Sequence, residues 1–358
     1  MALPSSWERR QKRAERFAPV AALTDIPPGR QGYKMPIETG EHDLCIMCWP
    51  TRTRKDFWRG HLGGARDAWA EVARMIARYE PVLMVADEGE GRMAESWIDH
   101  DEIEVVELPI DDSWSRDSAP IFLRDADGQR VAADFGFNAW GEKHKPFDRD
   151  ASMGKVLCEY LGIQRFEAPF ILEGGSVATD GEGTFVTTER CLLNPNRNPE
   201  MSRADIEQGL RDWLGAETVI WLPNGLADDW YTDGHVDNAV SFVRPGMVVL
   251  QSTLDPTDDD YAIAEQNREI LEAAGLEVRE LDVLPHARCF HETVEVPYVN
   301  FYPANGALVV PVGGVAADYE MLERLSILYP DREIVAVPGE VIAYGGGGVH
   351  CITQPLPK

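Results

Sequence analysis

The stretch "AVSFVRPGMVVLQSTLDPTDDDYAIAEQNREILEAAGLEVREL", residues 239–281, contains one complete structural unit. Two short apolar runs, 239–243 and 247–252, are typical of strands, and a Pro-Gly turn signal separates them. Apolar residues at helical spacing follow over 258–274, and "LEVREL" (276–281) indicates a third strand. The stretch therefore predicts two strands, a helix and a further strand.

The same arrangement recurs along the chain. Helical spacing is found in four other stretches: 65–79, 148–161, 202–214 and 317–329. About two strand-like runs precede each helix and one follows it, with the last three intervals between helix centres roughly 55 to 60 residues long. Because one such unit could not bury its apolar face alone, the pattern predicts a single α/β domain built from five repeated units.

Composition limits the classes of partner. The 358 residues carry 34 basic and 61 acidic side chains, for a formal net charge of −27, which disfavours nucleic acid and anionic membrane surfaces and favours a cationic ligand. The opening "MALPSSWERRQKRAERF" lacks the apolar run of a signal peptide, and no run of about 18 apolar residues follows, so a cytoplasmic location is expected. Six cysteines are too few for a disulfide scaffold, so reduced thiols are expected.

Four polar clusters lie where a loop meets a predicted strand. They are "DDSWSRDSAP" (111–120) with Trp114 and Asp117, "ILEGGSV" (171–177) with Glu173, "TDGHVDNAVSF" (232–242) with His235 and Asp237, and "GGGGVHCITQP" (345–355) with Cys351. At the entry of a strand, the two-residue spacing predicts that His235 and Asp237 point to one face. On an extended segment His350 is predicted to point away from Cys351, which disfavours it as the base.

Each cluster alone also has a plainer interpretation. Asp117 before Ser-Ala-Pro is typical of a turn cap, and a buried cysteine is more often a small hydrophobe than a nucleophile. His235 and Asp237 are equally compatible with an exposed pair or with two metal ligands. "CIMC" (45–48) has the spacing of a metal or redox site, but it lies inside the apolar run "DLCIMCWP", which favours a core strand.

Six motifs occur together and in order, and through them the sequence resembles a known family. They are W-x-R-D, E-G-G-S, "LLNPNRNP" (192–199), D-G-H-V-D-N, "VNFYPANG" (299–306) and G-G-G-x-x-H-C-I-T-Q. The chain is similar to agmatine deiminases, in the group that also holds bacterial-type peptidylarginine deiminases, from about residue 32 to its last residues. The resemblance implies a pentein α/β propeller of five ββαβ-like units around a pseudo-fivefold axis. It further implies an N-terminal extension, 1–30, and a single catalytic domain, 31–358.

The resemblance implies chemistry at a guanidinium group. A guanidinium is planar and cationic, so two carboxylates hold its N–H edges while a soft nucleophile attacks the central carbon. Asp117 and Asp237 match the family's holding positions, and Cys351 matches the nucleophile. Its thiolate adds to the carbon, ammonia leaves, and water hydrolyses the amidino-thioether to a ureido product. A free thiol has a pKa of about 8.5, so either the substrate cation or a protonated His235 must favour the thiolate.

Four further residues match family positions. His235 is expected to protonate the departing ammonia and then to activate water, and Glu173 is expected to orient its imidazole. Trp114 is expected to pack against the guanidinium face, and Asn300 to help hold the site. The resemblance implies no metal and no cofactor, and it offers a homodimer as one candidate assembly.

The sequence departs from the agmatine enzymes around the substrate tail. Acidic residues precede the T-[ND]-G-H segment in those enzymes, whereas "DDWYTDGH" has Trp230 and Tyr231, so the tail is expected to meet aromatic rings. Thr39 of "MPIET" stands where the family has tryptophan, and Gly348 of "GVHC" is a further departure. The expected substrate is therefore a small guanidino compound, with agmatine as the first candidate.

Other functions remain open from sequence alone. An amidinotransferase shares the scaffold and differs in using an amine instead of water. A peptidylarginine deiminase is disfavoured by the missing secretion signal. A metal-dependent hydrolase would use His235, Asp237 and the CxxC, and a guanidine-binding protein without catalysis would need none of the reactive residues.

Overall fold

The computed structural model describes residues 26–358, so most of the predicted N-terminal extension lies outside the described residues. Strands and helices alternate, which confirms the α/β class. The strands are β1 (His42–Cys48), β2 (Val82–Ala86), β3 (Ile103–Glu107), β4 (Ile121–Arg124), β5 (Arg130–Gly136), β6 (Gln164–Ile171), β7 (Val177–Thr179), β8 (Thr184–Thr188), β9 (Thr218–Leu222), β10 (Val240–Arg244), β11 (Met247–Gln251), β12 (Glu277–Leu281), β13 (His286–Cys289), β14 (Glu292–Glu295), β15 (Tyr302–Ala304), β16 (Ala307–Val312), β17 (Glu333–Pro338) and β18 (Gln354–Pro357).

The helices lie between these strands. They are α1 (Leu62–Ile76), α2 (Gly91–Ile98), α3 (Ser115–Ser118), α4 (Ala139–Glu142), α5 (Met153–Leu161), α6 (Glu189–Leu192), α7 (Arg203–Leu214), α8 (Asp259–Ala273), α9 (Asp318–Leu328) and α10 (Glu340–Tyr344). Short 3-10 turns are found at Pro28–Gln31, Arg52–Arg54, Asp150–Ser152, Gly174–Ser176, Val236–Asn238 and His350–Ile352. None of the helices between residues 26 and 358 combines the length and apolar character needed to span a bilayer.

Five of the sheets share one strand pattern. Their orders are β18-β1-β2-β3, β4-β5-β6, β7-β8-β9, β10-β11-β12 and β15-β16-β17, and β13 with β14 forms a separate hairpin. In each of the five the first pair of strands is antiparallel and the second is parallel. A helix connects the two parallel strands, because parallel strands need a crossover connection. The sheets are therefore mixed.

The helices form where the sequence provides both an apolar face and defined ends. α1 buries Trp69, Ala73 and Ile76, at the spacing of one helix face. α7 starts with a capping box, in which the Ser202 side chain and the Asp205 side chain each accept a backbone N–H of the other residue, and it ends at Gly215 in the left-handed conformation. The five helices predicted from periodicity are all present, with ends shifted by a few residues.

The predicted core strand at 45–48 is confirmed, since these residues form the end of β1 and all four are buried. Cys45 and Cys48 belong to different apolar clusters, on opposite faces of that strand. Because they point apart, they cannot ligate one metal ion together. The metal-dependent alternative that relied on this CxxC is therefore wrong in that respect.

The strand pattern decides where the polar clusters meet. Asp117, Glu173, Asp237, Asn300 and Cys351 each lie in or beside the short segment that precedes the first strand of a sheet, namely β4, β7, β10, β15 and β18 in that order. The turns that carry them pack against one another. Residues far apart in sequence are thereby brought to one place.

Candidate active site

Cys351 lies in the 3-10 turn His350–Ile352 and is buried. Its Sγ lies 3.5 Å from Asp237 Oδ2 and 3.3 Å from Asn300 Nδ2. Asn300 Nδ2 also donates to the Asn238 side chain at 2.9 Å, and its Oδ1 accepts the His350 backbone N–H at 2.9 Å. The amide therefore fixes the turn that carries the thiol.

Two carboxylates flank this thiol. Asp117 Oδ1 accepts the Gly175 backbone N–H at 3.0 Å, and its Oδ2 accepts the Trp140 indole N–H at 2.9 Å. Asp237 Oδ1 is buried and has no hydrogen-bond partner among residues 26–358. A buried carboxylate oxygen is costly to leave unpaired, so this one is available to a donor from a ligand.

The surroundings keep the thiol protonated in the free protein. Burial, followed by the charges of Asp237 and Asp117, raises the pKa of Cys351 well above its ordinary value. Burial also raises the pKa of Asp117, against the opposing charge of His235. A cation placed between these groups would offset the carboxylate charges and favour the thiolate.

His235, the residue directly before the turn Val236–Asn238, faces the same space. Its Nδ1 lies 3.8 Å from Asp117 Oδ1, and its Nε2 lies 4.0 Å from Glu173 Oε2. Burial alone would lower the pKa of His235, but the carboxylates and Cys191 around it outweigh burial and raise that pKa well above the ordinary value. These neighbours therefore favour the protonated imidazole.

His235 and Asp237 face one space, but not because they lie two residues apart at the entry of a strand, as the sequence predicted. β10 begins at Val240; Asp237 lies in the 3-10 turn Val236–Asn238 before it, and His235 immediately precedes that turn. They share one space because Gly175 is opposite them: a Cβ at Gly175 would lie 2.6 Å from His235 Nδ1 and 2.8 Å from Asp237 Oδ2. Only a residue without a side chain allows this approach.

Glu173 is held by a residue that sequence reasoning did not name. Arg197 of the "LLNPNRNP" motif donates from Nε to Glu173 Oε1 at 2.5 Å and from Nη1 to Asp233 Oδ2 at 2.7 Å. Both Arg197 and Glu173 are fully buried. The Arg197 guanidinium thus connects the Glu173 carboxylate to the segment that carries His235. It also places a fixed positive charge beside the cluster of Glu173, Cys191 and His235, and this charge disfavours binding of a metal ion there.

The prediction that His350 points away from the site is wrong. The segment is a 3-10 turn and not extended, so His350 Nδ1 reaches Asp237 Oδ2 at 2.8 Å while Nε2 reaches Glu38 Oε2 at 2.6 Å. Arg116 pairs with Glu38 in turn. Burial alone would raise the pKa of Asp237, but the hydrogen bond and charge of His350 outweigh burial and lower that pKa. His350 and Glu38 therefore keep Asp237 ionised and fix its orientation.

The four glycines before the cysteine pack directly against site side chains. A Cβ at Gly345 would lie 3.0 Å from Trp114 Cζ2, and one at Gly346 would lie 2.7 Å from Tyr231 Cγ. At Gly347 it would lie 2.9 Å from Cys351 Sγ, and at Gly348 2.4 Å from Asn300 Oδ1. The run allows the backbone to approach the site more closely than any side chain would permit.

A cavity of about 360 Å³, counted to its open mouth, leads to Cys351. It is lined largely by aromatic rings, those of Phe57, Trp114, Trp140, His144 and Tyr231. Trp230 does not line it: this side chain is 57% exposed and lies on the outer side of Tyr231, with the two ring centroids 3.8 Å apart. Of the two aromatic residues predicted to meet a substrate tail, the structure brings only Tyr231 to this cavity.

The sequence model of the Porphyromonas-type peptidyl-arginine deiminase family matches residues 34–357. The agmatine deiminase of Pseudomonas aeruginosa (strain LESB58) is 39% identical over 359 residues, which cover 92% of this chain and 97% of that protein. The solved structure of Enterococcus faecalis agmatine deiminase has a TM-score of 0.88 and 30% identity, and the match covers 95% of this chain and all of that one.

A third comparison is with C. jejuni agmatine deiminase solved with substrate bound. It has a TM-score of 0.85 and 27% identity, with 91% of this chain and 96% of that one covered. The family match and the identity to the Pseudomonas protein both span nearly the whole chain. The chain therefore belongs to the Porphyromonas-type peptidyl-arginine deiminase family.

Proposed function

We propose that this protein is a cysteine-dependent hydrolase of linear amidines that converts a small guanidino compound to its ureido product and ammonia. Agmatine, on which relatives act according to their names, is the first candidate substrate. The observation that carries the proposal is a buried thiol, Cys351, which contacts Asp237 and lines a small cavity together with Asp117. Such a thiol becomes a nucleophile only when a cation arrives, which a guanidinium does.

The carboxylates hold the substrate. Asp237 presents an unpaired oxygen, and Asp117 presents the carboxylate that Gly175 and Trp140 fix in place. Two charge-assisted contacts to a planar guanidinium define its orientation. Trp114, buried at the inner end of the cavity, is the proposed surface for its flat face, and Asn300 holds the nucleophile's turn.

The reaction proceeds in two halves. Cation binding lowers the pKa of Cys351, whose proton passes to solvent. The thiolate adds to the guanidinium carbon, and the protonated His235 gives its proton to the nitrogen that leaves as ammonia. His235, now neutral, takes a proton from water, whose oxygen attacks the amidino-thioether carbon. Collapse of that adduct breaks the C–S bond and releases the ureido product, and the proton of the adduct's hydroxyl group goes to the departing sulfur, which restores the thiol. Glu173, held by Arg197, supports the imidazolium.

The same proposal covers the architecture. We assign the five sheets of like strand pattern to the units of a pentein propeller around a pseudo-fivefold axis, with residues 31–358 as one catalytic domain and 1–30 as an N-terminal extension. The equivalent placement of the five site segments before the first strands supports this arrangement. A homodimer, a cytoplasmic location and the absence of nucleic-acid partners, of metal and of cofactor belong to the proposal.

Intact mass spectrometry of a quenched reaction tests the nucleophile and the reaction class together. Enzyme mixed with agmatine or another guanidine is expected to show an amidino adduct on Cys351 and to release ammonia, whereas Cys351→Ser shows neither. Turnover that is lost with EDTA would contradict the thiol mechanism. Transfer of the amidino group to an added amine, with no ammonia hydrolytically released, would assign the protein to the amidinotransferases instead.

A further inference from the structure

Three rings form a continuous wall on the outer side of the cavity. We call Phe57, His144 and Tyr231 the aromatic wall. The His144 and Tyr231 rings are stacked, with centroids 6.2 Å apart and planes inclined by 14°, and Phe57 meets both rings edge-on. A substrate tail that extended from a guanidinium at Cys351 into this cavity would pass along this wall.

The wall offers no carboxylate to a charged tail. Besides Asp117, the acidic residue that lines the cavity in the described part of the chain is Asp112. Its Oδ2 accepts from Arg54 Nε at 2.6 Å and its Oδ1 accepts from the Ser113 backbone N–H at 2.8 Å. Burial lowers the pKa of His144, so that imidazole is neutral. The one additional acid is therefore already neutralised by an arginine.

Further acids line a neighbouring cavity next to Tyr231. They are Asp228, Asp229, Glu292 and Glu295. Tyr231 and Gly346 line both cavities. The Tyr231 ring lies so close to Gly346 that a Cβ there would be 2.7 Å from its Cγ. On the other side Lys143 Nζ donates to the Tyr231 carbonyl at 3.0 Å, which anchors the segment. The ring thus separates the reacting cavity from these acids.

We infer that the enzyme prefers guanidines with an uncharged alkyl or aryl tail to agmatine, whose tail ends in an ammonium. The inference rests on the proposed function and names its substrate class. An ammonium against the aromatic wall would lose water without gaining a carboxylate, and attraction to the rings offsets only part of that loss. An apolar tail gains from burial, roughly threefold to fourfold in kcat/KM for each methylene.

Ammonia release from paired substrates tests the inference with the unmodified enzyme. Pentylguanidine is agmatine with a methyl group in place of the ammonium, and its kcat/KM is expected to exceed that of agmatine by roughly tenfold or more. Equal or faster turnover of agmatine would overturn the inference and leave the deiminase function intact. Absence of ammonia from every guanidine would overturn the function itself.

A pair of variants tests whether Tyr231 sets this preference. Tyr231→Glu places a carboxylate on the wall and is expected to shift the agmatine to pentylguanidine ratio of kcat/KM toward agmatine by about tenfold. Tyr231→Gln introduces a side chain of the same size as glutamate but without the negative charge. This variant is expected to leave the ratio close to that of the unmodified enzyme. The same ratio in both variants would overturn the role of charge, and the substrate comparison above does not depend on either variant folding.

Discussion

At the scale of single residues, the charge state of Cys351 is controlled by its neighbours. The thiol is buried against Asp237, and Asp237 is in turn held by His350 and Glu38. Each member of this chain changes the proton affinity of the next. Substitutions that alter charge without altering size therefore separate the roles of these groups.

Asp237→Asn is expected to make Cys351 more reactive toward iodoacetamide while it lowers turnover. The Asp237 charge contributes to the raised pKa of the thiol, so its removal lowers that pKa and speeds alkylation at pH 8. The site loses one of the two carboxylates that hold the substrate, so kcat/KM is expected to fall by roughly 100-fold or more. Timed alkylation followed by mass spectrometry measures the first effect. Glu277→Gln, on the exposed edge of β12, is the control, and slower alkylation of Asp237→Asn would contradict the prediction.

His350→Gln is expected to shift the acid limb of kcat/KM to higher pH. Asp237 must be ionised to hold a guanidinium, so activity falls as pH falls through its pKa. His350 lowers that pKa and its loss raises it, so the variant loses more activity at acidic pH than at pH 8. His286→Gln, which removes an exposed imidazole paired with Asp258, is expected to leave the limb in place. An unchanged limb in His350→Gln would show that His350 only fills space.

At the scale of elements, the short segments before the first strand of each of the five like sheets carry the site residues. The glycine run leads into the segment that carries the nucleophile. Gly347 lies between the Trp114 ring and Cys351, where a Cβ would be 2.8 Å from Trp114 Cζ3 and 2.9 Å from Cys351 Sγ. One of these two groups must move to admit a methyl group. Catalysis depends on position more steeply than folding does.

Gly347→Ala is therefore expected to reduce kcat/KM by roughly 100-fold, with a small change in melting temperature. Gly63→Ala is a matched control: Gly63 lies in the first turn of α1, and a Cβ there has nothing within 4 Å. That control is expected to retain activity and to be as stable or slightly more stable, because alanine favours a helix. Equal kcat/KM in the two variants would contradict the role assigned to the run.

The sequence predicted these elements unevenly, for physical reasons. α1 and α8 were predictable because apolar residues recur at helical spacing over 15 residues. β18 was not, because "QPLP" contains two prolines and owes its strand conformation to pairing with β1. β7 was not, because it has three residues.

The site was predicted through motifs, and the residues that sequence reasoning missed are those that act at a distance. Glu38 contacts His350 across most of the chain, and Arg197 contacts Glu173 from a motif with no obvious chemistry. No local pattern encodes such pairings. A lone glutamate in "MPIET" carries no signal, whereas the arginine inside "LLNPNRNP" was already present in a motif and could have been singled out.

At the scale of the whole molecule, strands from opposite ends of the described chain share a sheet. β18 pairs with β1 in antiparallel register, with Leu44 opposite Leu356, and both leucines are buried. The same segment continues back to Cys351. This pairing therefore contributes to the stability of the fold and to the position of the nucleophile.

Leu356→Ala is expected to lower the free energy of unfolding by about 2–5 kcal/mol, as truncation of a fully buried leucine does. Leu254→Ala, at a side chain that is 70% exposed, is the control and is expected to change it by less than about 0.5 kcal/mol. Urea titration followed by circular dichroism measures both values. A change in Leu356→Ala no larger than in the control would show that the pairing contributes little to the stability of the domain.

The pairing of β18 with β1 also determines whether oxidants can reach the Cys351 thiol in a given copy of the protein. While the strands are paired, Cys351 is buried against carboxylates and stays a thiol, the form that peroxide attacks slowly. When the pairing is lost, both burial and the fixed carboxylates are lost with it, and the thiol returns toward a pKa of about 8.5 in contact with water. Damaged or incompletely folded copies therefore expose the nucleophile to oxidants, whereas the intact fold protects it between turnovers.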